Sequence, residues 1–373
     1  MNKFFFLAVC ALPALLSGCS ENELASMETL GQNAIGFHLV GSQAETKATP
    51  ISSSNLTTTD FDVFAFTPTG EIFMGNNSES FAHDGVQIKY KDGKWDYANA
   101  SELRYWPEST ALDFYAVNPA TVADNMRTNY AWNIHADKQE ILYTCADEFG
   151  SAGAYTNYDV MYAIAKDQTK NTNAGKVKLQ FHHILSQVVF KAKTQYAGMS
   201  VTVKDIIIHN FKMGGTFTFP TDATTAPAQT DWALSPANGT FTAVKDKAIV
   251  VDSETTPTDI SVATPMLFVP QKLTAWTTTK TAPKTKLQAD SDKESYLEIC
   301  CKIQQNGVYL FGDASTYKTL YVPFGTSWEP GKRHIYTLIF GGGYDDHGEA
   351  ILMPIEFKAD VDEWADVDSN IAV

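Results

Sequence analysis

The chain has 373 residues, 44% of them hydrophobic, and a formal net charge of −15. That is enough apolar material to bury a substantial core and enough length for two domains of ordinary size. The acidic balance argues against nucleic acid and anionic membrane surfaces as partners, because both select clustered Lys and Arg.

At the N-terminus, Met1-Asn2-Lys3 forms a short positive region and Phe4 to Leu16 an apolar segment too short to span a bilayer as a stable helix. Leu16-Ser17-Gly18-Cys19 then supplies a small-residue cleavage site, so residues 1–18 are expected to be a secretory signal. The cleavage site resembles the bacterial lipobox. That resemblance implies that Cys19 becomes the acylated first residue of the mature protein and anchors it to the outer membrane. Ser20, Glu21, Asn22 and Glu23 follow as a polar acidic start, similar to the surface-export signal of Bacteroidetes lipoproteins. No other apolar run is long enough for a transmembrane helix. Setting aside Cys10 and Cys19 leaves Cys145, Cys300 and Cys301, which make no disulfide framework. Adjacent cysteines on a strand point to opposite faces, so these thiols are expected as small buried hydrophobes or a free thiol, not as metal ligands.

The mature chain shows strands nearly throughout. "NAIGFHLV" places Ile35, Phe37 and Leu39 on one face by period two. Residues 41–60 are rich in Ser and Thr and too polar to bury, which predicts a linker or exposed loop. "FDVFAF" alternates Phe61, Val63 and Ala65 against Asp62, Phe64 and Phe66, and "VQIKYKDGKWDY" predicts a hairpin turned at Asp92-Gly93. In "LRYWPESTALDFYAVNPA", Trp106-Pro107 makes a corner before a strand that carries Leu112, Phe114 and Ala116 on one face and ends at Asn118-Pro119. Core packing is the expected role of Trp106 and Phe114; an aromatic platform for a sugar ring is the alternative. "YDVMYAIA" and "VKLQFHHILSQVVFKAK" continue the pattern around the polar "KDQTKNTNAGK", the expected domain boundary. The short "HHILSQV" is compatible with a helix but equally leads into a strand. In the second half, turn signals at Gly214-Gly215, Asn306-Gly307, Pro330-Gly331 and Gly341-Gly342-Gly343 separate further strands, at spacings typical of all-β sandwiches.

Catalytic readings find little support. His182 and His183 are adjacent and face opposite ways on a strand, so they do not share a metal. The chain contains no G-x-S-x-G. Neither "ADSDKE" (289–294) nor "YDDHGE" (344–349) has calcium-loop spacing, and both are expected to be solvated loops. Neither an enzyme activity, a cofactor nor a metal is expected.

Taken in order behind a lipobox, "YWPESTALDFYAVNPA", "DVMYAIA", "VKLQFHHILSQVVFKAK", "FVPQ", "WEPGKRHIYTLIF" and "IEFKADVDEWADV" resemble the fimbrillin-like lipoproteins of Bacteroidetes. The resemblance covers most of the mature chain. It implies an all-β protein with two transthyretin-like β-sandwich domains in tandem, serving as a subunit of a surface fimbria, the type V pilus. The expected division is a signal at 1–18, a lipidated segment with a removable strand and linker at 19–60, and sandwiches at 61–176 and 177–373.

The resemblance also implies an assembly route. A trypsin-like protease removes an N-terminal strand, and a strand from a neighbouring subunit fills the vacated groove. An opened sandwich exposes unpaired backbone and an apolar trough, so an added strand regains both hydrogen bonds and burial. Here the displaced strand would carry Ile35, Phe37 and Leu39, and the cut would fall between Lys47 and Ala48, where family members often present Arg instead. The donor would be the C-terminal strand with Ile355, Phe357, Ala359 and Val361 on one face. Partners would then be other pilus subunits, the processing protease and the outer membrane through the lipid, with no nucleic acid. A surface glycan-binding lipoprotein would share the lipobox, the sandwiches and the tryptophans, but its binding aromatics would be exposed.

Overall fold

The structure, a computed structural model, describes residues 33–40, 56–75, 81–122, 127–145, 158–261, 266–278, 283–352 and 356–363. In the first half the strands are β1 (Gly36–Val40), β2 (Phe61–Phe66), β3 (Ile72–Met74), β4 (Val86–Lys91), β5 (Lys94–Tyr97), β6 (Leu112–Asn118), β7 (Tyr130–Ile134), β8 (Gln139–Thr144), β9 (Met161–Gln168), β10 (Lys176–Gln180) and β11 (His182–His183). The second half continues with β12 (Ser186–Thr194), β13 (Met199–Lys212), β14 (Gly214–Thr218), β15 (Trp232–Leu234), β16 (Asn238–Val244), β17 (Ile249–Val251), β18 (Thr258–Asp259), β19 (Met266–Phe268) and β20 (Gln271–Leu273). A short helix α1 (Lys286–Asp292) precedes β21 (Tyr296–Gln305), β22 (Val308–Phe311), β23 (Lys318–Pro323), β24 (Thr326–Trp328), β25 (Lys332–Phe340) and β26 (Glu356–Glu363). The expected all-β class is borne out.

Local chemistry accounts for the tight connections. Asp92-Gly93 and Asn306-Gly307 both hold positive φ at two successive residues, the backbone of a type I′ turn, and they join β4 to β5 and β21 to β22. Asn and Asp tolerate this conformation better than other side-chain-bearing residues, and glycine has no Cβ to clash.

A seven-stranded sheet, β11-β9-β6-β2-β4-β5 with β3 on β2, forms the centre of the first half. One face, including Phe61, Val63, Phe114 and Ala163, packs on the two-stranded sheet β1-β10 through Phe37, Leu39, Val177 and Leu179. On the other face, Phe64, Phe66, Tyr115 and Tyr162 meet a four-stranded sheet, β15-β14-β8-β7, with Trp132, Tyr143, Phe217 and Trp232. Since β14 and β15 come from the second half, that sheet is built by both halves. Covering on both faces explains why all six residues of β2 are buried despite the polar Asp62.

In the second half, a five-stranded sheet (β18-β12-β25-β26, with β19 on β12) faces a six-stranded one (β16-β13-β21-β22, with β17 on β13 and β23 on β21). Val188, Phe190, Tyr336 and Leu338 from the first join Val203, Ile208, Ile299 and Ile303 from the second in one core, which is continuous with Phe64, Tyr115 and Trp132. The expected break at 176/177 coincides with the start of β10. β10 and β11 still pair with β1 and β9 of the first half, and pairing within the second half begins at β12.

One open reading takes its strand alternative, and one expectation is corrected. "HHILSQV" forms no helix: His182–His183 is a strand on β9, and the chain re-enters β structure at Ser186. "ADSDKE" is not simply a loop, because its first four residues end helix α1. Thr285 caps that helix, accepting from the Gln288 amide while Gln288 accepts from the Thr285 amide.

Candidate functional site

The candidate site is a groove on the first half, filled by β1. Gly36–Val40 pairs in parallel with Lys176–Gln180 of β10. Alternation turns Ile35, Phe37 and Leu39 inward, and they are only 0%, 6% and 6% exposed. The ring of Phe37 sits edge-on among Phe61, Tyr97 and Phe114, with centroid distances of 6.0, 6.0 and 6.4 Å. The alternation read from the sequence put these three side chains on one face, and the structure buries that face. The alternation gave no sign that the partner strand is β10, about 140 residues away.

The head of β1 is held on a second side. The Ile35 amide donates to the Arg104 carbonyl and the Trp106 amide to the Asn33 carbonyl, both at 2.9 Å, forming an antiparallel bridge across Ala34 and Tyr105. The Tyr97 hydroxyl donates to the Ile35 carbonyl at 3.1 Å in a buried position, and Lys170 Nζ donates to Asn33 Oδ1. Trp106 also donates from Nε1 to the Gly175 carbonyl at 2.9 Å, tying this segment to the residue before β10. Trp106 is 8% exposed and Phe114 fully buried, with their rings 5.9 Å apart, so both belong to the core. None of these clamp contacts was legible in the sequence, because each joins segments far apart in the chain.

The second element is β26. It lies at the edge of its sheet, antiparallel to β25, with Phe357 opposite Leu338, Ala359 opposite Tyr336 and Val361 opposite His334. Directly opposed residues share a sheet face. Yet Tyr336 and His334 are 0% and 2% exposed whereas Val361 is 49% exposed, and Lys358, Ala359 and Asp360 are exposed as well. β26 completes a ladder while adding little to the core at these positions. Cys19, Lys47, Ala48 and Ile355 lie outside the described residues.

Chemistry-bearing groups do not converge on this groove. His183 is buried and bonded through Nδ1 to Asp159 at 2.9 Å, while His182 lies beside the Tyr162 ring. His209 Nε2 meets Glu298 at 2.9 Å and its ring stacks on Tyr296, and this hydrogen bond holds the Glu298 carboxyl below its usual range. Asp345, Asp346 and His347 bring three ligand atoms within 4.8 Å of one another on a largely exposed loop, an arrangement common without an ion. Cys301 is fully buried, and its thiol is pushed above its ordinary range by desolvation. Among the described tryptophans, Trp106, Trp132, Trp232, Trp276 and Trp328 are buried, which removes them as a sugar-binding platform.

The comparison with known sequences decides the family. Residues 46–364 match the family described as fimbrillin-like. The chain belongs to the fimbrillin-like family. Fimbrillin-like proteins are structural fimbrial subunits, not enzymes. This fimbrillin-like chain is similar to the fimbrium subunit Fim1C of Phocaeicola vulgatus, 24% identical over 182 residues. That match covers 46% of this chain and 47% of Fim1C, so it spans about half the length of the relative. In fold the chain is similar to the crystal structure of a fimbrial protein from Bacteroides vulgatus, with a TM-score of 0.57 at 14% identity, over 89% of this chain and 100% of the other. No helix among the described residues is long and apolar enough to cross a membrane.

Proposed function

We propose that this fimbrillin-like chain is a pilin of a surface fimbria, exported as an outer-membrane lipoprotein acylated at Cys19 and assembled by exchange of strands between subunits. In this reading it is organised as two transthyretin-like sandwiches whose changeover falls near residues 184–185. A trypsin-like protease cuts between Lys47 and Ala48, β1 leaves the groove beside β10, and β26 of another subunit takes its place. The pilus then serves adhesion.

The observation that supports this reading is the contrast between two strands of the same alternation. β1 is a deep plug with Ile35, Phe37 and Leu39 buried, whereas β26 is a shallow edge strand with Val361 49% exposed. Burying a large aliphatic or aromatic side chain is worth about 1.5–3 kcal/mol. A strand that gains such burial elsewhere while losing little at home is suited to act as a donor.

The experiment treats three forms of the full chain with a trypsin-like protease: wild type, Lys47→Ala, and a truncation ending before Ile355. SDS-resistant or filamentous oligomers are scored. Wild type is expected to polymerise, Lys47→Ala to resist processing, and the truncation to be cut without polymerising. Polymerisation by both variants would sink the mechanism.

A further inference from the structure

We infer that an open cleft at one end of the first half binds a short neutral glycan, with the ring of Tyr90 as its platform and the carboxylate of Asp60 fixing its orientation. The inference rests on the adhesive role proposed above and names the chemical class of its ligand; the assembly route does not depend on it.

The neighbouring strands β9-β6-β2-β4 bring four stretches of chain to the same end of their sheet. Thr57 and Asp60 lead into β2, Lys89 and Tyr90 lie in the second half of β4, Pro119 follows β6, and Asp159 precedes β9. Between them is a cleft of about 570 Å³. Small-molecule sites occupy roughly 300–1,000 Å³, so it has room for a short oligosaccharide.

The groups that line it are held in place beforehand. Asp60 Oδ2 accepts from Gln87 Nε2 at 2.5 Å and from Thr121 Oγ1 at 2.7 Å, and Oδ1 accepts from the Thr121 amide at 3.3 Å. These bonds lock the carboxylate and leave Oδ1 capacity for a further donor. Asp159 is buried and bonded to His183 at 2.9 Å. Lys89 Nζ stands 3.8 Å from Asp60, a loose pair that leaves ammonium protons for a ligand. Tyr90 is 38% exposed, and its ring is propped edge-on by Trp95 with 5.3 Å between centroids. Neither the Tyr90 hydroxyl nor that of Thr57 has a hydrogen-bond partner among the described residues.

A sugar ring presents an apolar face of C–H groups and a rim of hydroxyls that both donate and accept. An exposed aromatic ring suits the first, and carboxylates, an ammonium and free hydroxyls suit the second. Tyr90 thus supplies the platform that the buried tryptophans do not. Charge narrows the class. Two carboxylates against one ammonium, on a chain of net charge −15, repel phosphate and carboxylate groups, which disfavours nucleotides and sialylated glycans. A wholly apolar ligand would cover the same carboxylates without giving them hydrogen bonds.

The test presents the full chain to a panel of immobilised oligosaccharides of two to four sugars, each neutral glycan beside its sialylated form. Neutral members are expected to bind more tightly than their sialylated counterparts. Tyr90→Ala should weaken that binding by about tenfold or more, as removal of an aromatic anchor does, whereas Tyr90→Phe should cost no more than about threefold. Asp60→Asn should narrow the discrimination against sialylated forms. Unchanged denaturation midpoints show that the variants are folded. A panel without any binding, binding that ignores Tyr90→Ala, or a preference for sialylated glycans would overturn the inference. Polymerisation after treatment with the trypsin-like protease is scored on the same samples: a wild type that polymerises yet binds no glycan sinks this inference alone, and one that binds through Tyr90 without polymerising sinks only the assembly reading.

Discussion

Replacing Asp62 by Asn should change how stability depends on pH. Asp62 lies on the face of β2 that carries Phe64 and Phe66, 5% exposed, packed so closely on Gly85 that a Cβ there would come within 2.6 Å of its own. Burial, reinforced by the carboxylates of Asp60, Asp84 and Glu102, pushes its carboxyl from 3.8 up to about 7. Between those two values the folded protein holds a proton that the unfolded chain has released. Raising the pH through this window therefore favours unfolding, and above about 7 the full penalty is present. At about 1.4 kcal/mol per tenfold change in proton affinity, the penalty reaches roughly 4 kcal/mol. Urea denaturation of wild type and Asp62→Asn at several pH values reads this group together with the neighbours coupled to it, because titrations that do not interact with Asp62 cancel in the difference. The variant should gain on wild type by about 4 kcal/mol between about pH 4 and about pH 8, whatever constant offset the buried amide introduces. Parallel stability profiles would show that Asp62 ionises normally in the folded state and would refute the argument.

Two further outcomes follow from placements described above. Trp106→Ala and Phe114→Ala should each cost about 3–5 kcal/mol of unfolding free energy, since both side chains are core and Trp106 also loses its hydrogen bond to Gly175; normal denaturation midpoints with a lost glycan affinity would favour a sugar platform instead. Cys19→Ala should move the protein from the membrane fraction to the soluble fraction of fractionated cells, and a variant that stays wholly membrane-bound would end the anchor assignment.

The sequence made strands legible and left their covering hidden. In "FDVFAF" the alternation was visible, but it does not say that Phe64 and Phe66 are as dry as Phe61. That follows from β14 and β15, about 150 residues later, laying Phe217 and Trp232 in the sheet that covers that face. Helix α1 was missed although Thr285 and Gln288 spell a capping box, because seven residues are too few to show a helical stripe. β1 and β26 present the same period-two pattern. Only the structure separates them, since burial depends on what lies across the face, and that is a long-range property of the fold.

The role of the proposed cut follows from the same contrast. Proteolysis between Lys47 and Ala48 removes none of the contacts described for β1, so by itself it does not weaken the plug. What it changes is molecularity. In the intact chain a displaced β1 remains covalently joined to its groove, so its rebinding is intramolecular and an incoming strand competes at a disadvantage. After the cut, rebinding of β1 is bimolecular and its occupancy depends on concentration. Cut protein freed of donor strands, for instance by truncation before Ile355, should therefore show a melting temperature that falls on serial dilution, while the uncut truncation melts at one temperature throughout. Each tenfold dilution lowers the binding contribution of β1 by about 1.4 kcal/mol. A cut protein whose melting temperature ignores dilution would mean that the severed strand adds nothing to the fold, and its buried Ile35, Phe37 and Leu39 make that outcome the sharpest available contradiction of the plug.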